Sequence, residues 1–274
     1  TQVLRAFKGK DLNKNGKIDE IPWSYLFYAK NANWAETSLF GSFGLQMDPG
    51  AQFFAVENGK VVFEPALEGF KKTIQYLNRL YSEGLIDQEA YVQDRSQLQS
   101  KGQRQPPILG VYVSWFASNV GGPNAPLYDI VPPLKGPEGH QFSNWHPRAM
   151  MNGNHGVITK RCAYPEVAIR WVDYIYDPEI NFQLGYGAIG VGTSKGADGV
   201  WKILAPPQGI SPETLRMTSS PHHIAKTYTG RINVDLPAHF VQKNKAKDDL
   251  FMPKAPVERA LPVYYLAKAD QEAF

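Results

Sequence analysis

Residues 53–87 read FFAVENGKVVFEPALEGFKKTIQYLNRLYSEGLID, and the change of period within them decides the fold class. Two β-prone runs flank Asn58-Gly59, the pair preferred by a type I′ turn, whose two central residues both take positive φ. The spacing therefore predicts a hairpin over 53–63. Immediately afterwards Leu67, Phe70, Ile74, Leu77 and Leu80 recur at three- and four-residue intervals, which predicts a helix from Pro65 to Glu83 with one apolar face. Pro65 suits the first turn and Gly84 the stop.

The same reading extends outward. IPWSYLFYAK (21–30) is a strand end or a helix start, Ser96–Lys101 a short helix, ILGVYVSW (108–115) a buried strand, and GGPNAP and PPLKGPEG are loops. HGVITK (155–160) reads as another strand. A helix follows from Pro165 to just before Pro178, with Ala168, Trp171, Val172 and Ile175 on its buried face. Beyond 205, Pro, Gly and Ser punctuate too heavily for firm helices. Strands alternating with helices specify an α/β protein.

The chain of 274 residues is long enough for two lobes, and its 43% hydrophobic and 20% charged content is that of a globular protein. A net charge of +3, with no basic cluster beyond KNKAK at 243–247, argues against nucleic acid. The single Cys162 excludes an intrachain disulfide. No apolar run reaches the length of a membrane-spanning helix. The chain starts at Thr1 and ends in LAKADQEAF, which reads as the start of a helix, so a piece of a longer protein is expected.

DLNKNGKIDE (11–20) carries an oxygen-bearing side chain at every second position, and the adjacent carboxylates of Asp19 and Glu20 repel unless a cation lies between them. With Asp11 as position 1 of a calcium loop, Asn13 is position 3, Asn15 position 5, Gly16 position 6, Lys17 offers its carbonyl at position 7, and Asp19 is position 9. Position 12 is Pro22, so Glu20 has to swing in instead. A structural Ca²⁺ held by Asp11, Asn13, Asn15, Lys17, Asp19 and Glu20 is the expectation; the alternative is a polar Asn-Gly turn that binds nothing.

Other motifs carry less. GYGAIG (185–190) satisfies G-x-G-x-x-G, but a helix-like segment precedes it and loop follows, so the glycines read as turn formers. His222-His223 lacks partners at zinc spacing. Cys162 lacks a positioned base, and a buried inert thiol is expected. Three of the six tryptophans, Trp34, Trp115 and Trp145, lie in polar or loop-like surroundings. They are candidate platforms for sugar rings, with half-buried packing as the alternative for each.

Taken in order, DLNKNGKIDEIP, NGKVVF, LNRLYSEGLID, GVYVSW, PPLKGPEG and GVITKRCAYPEVAIRWVDYIYDPE resemble the family 1 extracellular solute-binding proteins of bacterial sugar ABC importers. The resemblance is to the large lipoprotein-like branch and runs from about residue 5 to about residue 204. The calcium loop is similar to that of alginate-binding periplasmic proteins. The resemblance implies a two-lobed periplasmic-binding-protein type II fold, seen here through its middle and C-terminal portion and incomplete at both ends. Residues 1–145 would lie mostly in the C-terminal lobe, 150–204 in the N-terminal lobe, and 205–274 would return to the first. It also implies an oligosaccharide ligand, permease subunits as partners, and an extracytoplasmic location, as a bacterial cell-surface lipoprotein or in the periplasm, with the membrane reached only through a lipid anchor on an upstream segment. One departure stands out. Members often carry Gly-x-Glu-Gly-Val-x-Trp after the DYIYDPE helix, and this chain has Gly187-Ala188-Ile189-Gly190-Val191-Gly192-Thr193, with neither the acid nor the Trp.

Two other functions compete with a non-catalytic binding protein. A glycoside-active enzyme needs two carboxylates about 5–9 Å apart in a cleft, and no such pair stands out in the sequence. A calcium-stabilised cell-surface glycan-binding or interaction module, similar to dockerins, would carry two tandem loops, and the chain has one.

Overall fold

The structure, a computed structural model, describes residues 1–27, 35–47, 53–143, 158–208, 210, 212–220 (side chains from 215), 232–237, 241–242, 245–256 and 259. The chain divides into two compact units, Thr1–Ala149 with Lys243–Phe274, and Met150–Gln242.

The first unit opens with helix α1 (Gln2–Phe7), passes through the 11–20 loop and enters strand β1 (Ile21–Ser24). A 3-10 turn covers Glu36–Phe43. The expected hairpin follows, with β2 (Phe54–Glu57) antiparallel to β3 (Lys60–Phe63) and Asn58 and Gly59 both at positive φ, +51° and +74°. Phe54 and Phe63 face each other across it with ring centroids 5.2 Å apart.

The long helix begins later than its pattern suggests. Glu64–Ala66 is a 3-10 turn, Leu67 is extended, and helix α2 runs Glu68–Ser82. Pro65 thus lies in the first turn of the 3-10 element, where its absent N–H costs nothing. The buried stripe of α2 comprises Thr73, Leu77 and Leu80, with Phe70 partly buried, whereas Ile74 is 44% exposed. Periodicity passed over Thr73 because it is polar. Its hydroxyl donates to the Gly69 carbonyl at 2.7 Å, so burial leaves no polar atom unpaired.

Helix α3 (Arg95–Gly102) is longer than the expected 96–101 and starts with a reciprocal cap. Asp94 Oδ1 accepts the Gln97 N–H at 2.9 Å, and Gln97 Oε1 accepts the Asp94 N–H at 2.7 Å. Strand β4 (Leu109–Tyr112) is shorter than the 108–115 run and leads into helix α4 (Ala117–Gly121).

Strands β1 and β4 pair in parallel, with Ile21 opposite Leu109, Trp23 opposite Val111 and Ser24 opposite Tyr112. Each face of the pair is covered, as parallel strands require. Trp23 and Tyr25 join Phe40, Leu45, Leu77, Leu80, Leu85 and Ile86 in one cluster. Leu26, Leu98, Ile108, Leu109 and Val120 form the other.

Glu64, fully buried, clasps the neighbourhood of the hairpin. Its carboxylate accepts the N–H of Gln46 (2.7 Å) and Met47 (2.5 Å) and meets Arg259 at 3.2 Å, while its own N–H donates to the Phe53 carbonyl at 2.9 Å. Met47 and Phe53 both sit at positive φ, +47° and +64°, a conformation non-glycine residues rarely take unless their surroundings impose it.

In the second unit, helix α5 (Pro165–Ile175) packs against α6 (Pro178–Tyr186), whose amides at Glu179 and Ile180 are capped by the Asp177 carboxylate. Strand β5 (Thr193–Lys195) pairs antiparallel with β6 (Trp201–Ile203), and β6 pairs in parallel with β7 (Val234–Asp235). Helix α7 spans Pro212–Ser219. The core is Phe182, Tyr186 and Trp201, with Ile203, Ile232 and Val234 against it.

Several expectations shift here. Ile158–Lys160 is not a strand, and 155–157 lies outside the described residues. Helix α6 runs into GYGAIG and takes up Gly185, whereas Gly187 and Gly190 take φ of +106° and +83°, as turn glycines do. Cys162 is half-buried in a turn rather than buried. The second unit extends to Gln242 and includes β7, hydrogen-bonded to β6.

The two faces of α2 give a direct test. Leu80→Ala should destabilise by about 2–5 kcal/mol and Ile74→Ala by well under half of that, read as shifts in a urea unfolding midpoint. Equal shifts would put Ile74 into the core alongside Leu80.

Candidate metal centre and ligand edge

The 11–20 loop is built by its own side chains. Asp11, Asn13, Asn15, Asp19 and Glu20 are half-buried, while Leu12, Lys14, Gly16, Lys17 and Ile18 are exposed. Lys14 and Gly16 take φ of +59° and +81°, which turns the chain so that alternate side chains point inward. Asp11 Oδ1 accepts the Asn15 N–H at 3.0 Å and Oδ2 accepts the Gly16 N–H at 2.9 Å. Asn13 Oδ1 also accepts the Asn15 N–H (3.0 Å), and Asn15 Oδ1 accepts the Lys17 N–H (2.8 Å).

Glu20 does reach back into the loop in place of a position-12 glutamate. Its Oε1 accepts the N–H groups of Leu12 (2.6 Å) and Asn13 (3.0 Å), and its Oε2 is buried with no hydrogen-bond partner. A buried carboxylate oxygen without a donor is costly, and a cation would satisfy it. The donor set is all oxygen, which suits a hard divalent ion. Asp19 is the exception to this convergence. Its Oδ1 accepts from Asn15 Nδ2 at 3.2 Å, and its Oδ2 pairs with Arg104 Nη2 at 3.1 Å. Among the described residues, no cluster of three His, Cys, Asp or Glu side chains is gathered tightly enough to hold an ion. The loop reaches a sufficient oxygen count only with Asn13 and Asn15 and with Asp19 turned from Arg104.

The loop also holds the start of the strand pair. Asn13 Nδ2 donates to the Pro107 carbonyl at 3.0 Å, and the Ile21 N–H to the Ile108 carbonyl at 2.8 Å. At the opposite, carboxyl edge of the same two strands, ligands of α/β proteins gather. Trp115 lies there, three residues past β4, and is 55% exposed. It is carried by a short turn in which Ser114 Oγ donates to the Phe116 carbonyl (2.5 Å) and the Phe116 N–H to Asn119 Oδ1 (3.0 Å). Trp34 and Trp145, the other two candidate platforms, lie outside the described residues, as do His222 and His223.

Sequence reading missed the polar cluster under this edge. Ser24 Oγ donates to Asp87 Oδ2 at 2.6 Å, and Lys101 Nζ reaches the same oxygen at 2.7 Å and Gln93 Oε1 at 2.9 Å. Gln93 Nε2 donates to Ser24 Oγ (3.0 Å) and to the Tyr25 carbonyl (2.7 Å). Only the Asp87 that closes SEGLID hinted at it. Tyr112 and Tyr128 donate to the carbonyls of Ala117 (2.9 Å) and Leu109 (2.7 Å), and burial pushes both phenols up, so they remain neutral donors.

No family model matches the sequence. The fructooligosaccharide ABC transporter substrate-binding protein FusA of Streptococcus pneumoniae is 32% identical over 245 residues, 84% of this chain and 43% of FusA. The chain is a homologue of sugar-importer solute-binding proteins. Lipoprotein LipO of Bacillus subtilis is 26% identical over 149 residues, 50% of this chain and 28% of LipO. Solved structures agree on the α/β solute-binding-protein fold. FusA in complex with kestose superposes with a TM-score of 0.75 at 27% identity over 98% of this chain and 56% of that one. A FusA EF-hand mutant in complex with fructo-nystose gives the same TM-score at 26% identity. An extracellular solute-binding protein from Bifidobacterium longum subsp. infantis gives 0.72 at 20% identity, over 96% of this chain and 55% of that one. The chain spans less than half the length of the curated relatives it matches, 43% of FusA and 28% of LipO.

Removing the Glu20 carboxylate should free two loop amides at once. Glu20→Ala is expected to destabilise the chain by about 1–3 kcal/mol and to speed hydrogen exchange at Leu12 and Asn13. Unchanged exchange at both amides would show that Glu20 does not hold the loop.

Proposed function

We propose that the protein is the substrate-binding component of an ABC importer that captures an oligosaccharide and delivers it to membrane permease subunits. The observation that carries this is the 32% identity to FusA across 84% of the chain, together with the fold shared with a kestose-bound structure. The first unit corresponds to the larger part of the C-terminal lobe and the second to part of the N-terminal lobe. The protein acts outside the cytoplasm, held by a lipid anchor on an upstream segment, in line with relatives described as an extracellular solute-binding protein and a lipoprotein. It binds without turnover: the relatives are binding proteins, and FusA is named for the oligosaccharide it carries.

Trp115 offers its exposed indole to the apolar face of a sugar ring, with Trp34 and Trp145 as further platforms. Neutral Tyr112 and the Ser24–Asp87–Gln93–Lys101 cluster hold the strand ends beneath it. In the complete protein Trp115→Ala should weaken oligosaccharide binding at least about tenfold, 1.4 kcal/mol, by titration calorimetry with kestose and nystose. Full affinity in that variant would remove Trp115 from the site, and turnover of the sugar would overturn the non-catalytic reading.

The 11–20 loop holds one structural Ca²⁺. Asp11, Asn13, Asn15 and Glu20 supply side-chain oxygens, Lys17 its carbonyl, and Asp19 joins by exchanging Arg104 for the ion. The support is the buried unpartnered Glu20 Oε2, the all-oxygen donor set and the EF-hand of the homologue FusA. When bound, the ion neutralises Asp19 and Glu20. Because it binds only the folded loop, Ca²⁺ at 100 times its Kd adds about 2.7 kcal/mol. Chelation should lower the melting temperature of the native chain and leave that of Glu20→Gln almost unchanged. A native chain indifferent to both chelator and added Ca²⁺ would show that the loop is a polar turn.

A further inference from the structure

Asp19 and Glu20 are neighbours in sequence, and the fold treats their carboxylates oppositely. Glu20 turns into the 11–20 loop, where its Oε2 is buried without a hydrogen-bond partner. Asp19 meets two donors. Asn15 Nδ2 donates to its Oδ1 at 3.2 Å, and Arg104 Nη2, from outside the loop, donates to its Oδ2 at 3.1 Å. A carboxylate has about four lone-pair sites, so it can accept a hydrogen bond and ligate a cation at once, and the neutral amide of Asn15 is no obstacle to an ion. The guanidinium is different. It sets a full positive charge against the group that an ion has to share, and like charges close together repel.

Nothing in the 11–20 loop puts Arg104 there. Helix α3 ends at Gly102, and the almost wholly buried side chain of Asn124 fixes the chain beyond it. Asn124 Nδ2 donates to the carbonyls of Gly102 (2.8 Å) and Arg104 (2.9 Å), and its Oδ1 accepts from Gln105 Nε2 at 2.7 Å. Pro107 is held separately, by Asn13 Nδ2. The backbone at Arg104 is therefore anchored independently of Asp19, and only the side chain depends on the contact. That side chain is 50% exposed and touches Asp19 with one nitrogen instead of a two-nitrogen fork. A solvent-facing pair of this kind is weak, with water as a ready alternative for the guanidinium, so releasing it costs little and moves no strand.

On the reading of the loop as a calcium site, we infer that Arg104 is a built-in competitor of the cation. Its guanidinium holds the Asp19 carboxylate when no ion does, and it sets the affinity of the loop because the ion has to displace it. The loop then keeps its shape without metal, since Asp19 is already neutralised. Its affinity for Ca²⁺ is lower than its oxygen set alone would give, which moves it toward the weak range of extracellular calcium modules. Removing the guanidinium must tighten Ca²⁺ binding, whereas removing a group that assisted the ion would weaken it.

Calorimetry with Ca²⁺ on the chelator-treated complete protein reads that sign. Arg104→Gln should bind about fivefold more tightly than the native protein. In an Asp19→Asn background, where no carboxylate is left to compete for, the same substitution should change affinity by less than about twofold. Equal affinities, or weaker binding by Arg104→Gln, overturn the competitor role and leave the calcium site standing. A gain kept in full in the Asp19→Asn background also overturns it, as an effect of net charge alone. Failure of both the native protein and Arg104→Gln to bind Ca²⁺ at millimolar concentration overturns the calcium site and the competitor with it. Should the Asp19→Asn proteins bind too weakly to measure, crystals of the native protein decide. Asp19 and Arg104 should be in contact in chelator and more than about 4 Å apart with Ca²⁺ bound, and a pair kept intact beside the ion overturns the role.

Discussion

The parallel pairing of β1 with β4 is the constraint on which the first unit depends. Two parallel strands cannot be joined by a tight turn and leave no face for water, so 84 residues separate Ser24 from Leu109 and supply the cover on both sides. Trp23 and Tyr25 seal one face through Leu77 and Leu80, and Leu26 and Leu109 seal the other through Leu98 and Val120. The 11–20 loop fixes where this pair begins. It runs directly into Ile21 and holds Pro107 and Arg104, just ahead of Leu109. An ion in that loop would therefore stiffen the register of two strands whose far ends carry the candidate ligand edge. The loop and the candidate ligand edge are thus connected through four residues of backbone in each strand.

The cluster at the other end of the pair works by position more than by energy. Lys101 and Asp87 meet at 2.7 Å with Asp87 almost wholly buried, and burying two charges costs about as much as their attraction returns. What the cluster secures is directional. Ser24, Gln93 and the Tyr25 carbonyl have one mutually satisfied arrangement, and it fixes the backbone where β1 ends. A surface that recognises hydroxyl-rich ligands needs this fixity, because a hydrogen bond misplaced by an ångström is lost.

Local chemistry was legible in the sequence and long-range chemistry was not. Asn58-Gly59 announced its turn because the positive φ it adopts is written in those two residues alone. The loop's alternating oxygens announced an inward-facing set in the same way, and Glu20 does close it. Thr73 was not legible, since a hydroxyl at a core position is acceptable only when a carbonyl four residues earlier takes its proton. Glu64 and Arg259 lie 195 residues apart and meet at 3.2 Å, and no spacing rule joins them. The Asp19–Arg104 pair and the Ser24–Asp87–Lys101 cluster escaped for the same reason.

Leu77, Leu80 and Trp171 separate two things that periodicity conflates. The rule that placed all three on buried faces is sound as a statement of what each helix is able to bury. Leu77 and Leu80 are buried because the β1–β4 pair lies within the same unit to receive them. Trp171 has the same spacing and the same chemistry, and it is exposed. The difference does not lie in the pattern of α5, which is amphipathic nearly to the degree of α2, with Val167 and Tyr174 extending it to two full turns. It lies in what the second unit contains: a three-stranded sheet of two- and three-residue strands and two helices besides α5 among the described residues, against the two covered layers of the first unit. A helix face specifies by its sequence what it is able to bury, and the unit around it decides what is buried.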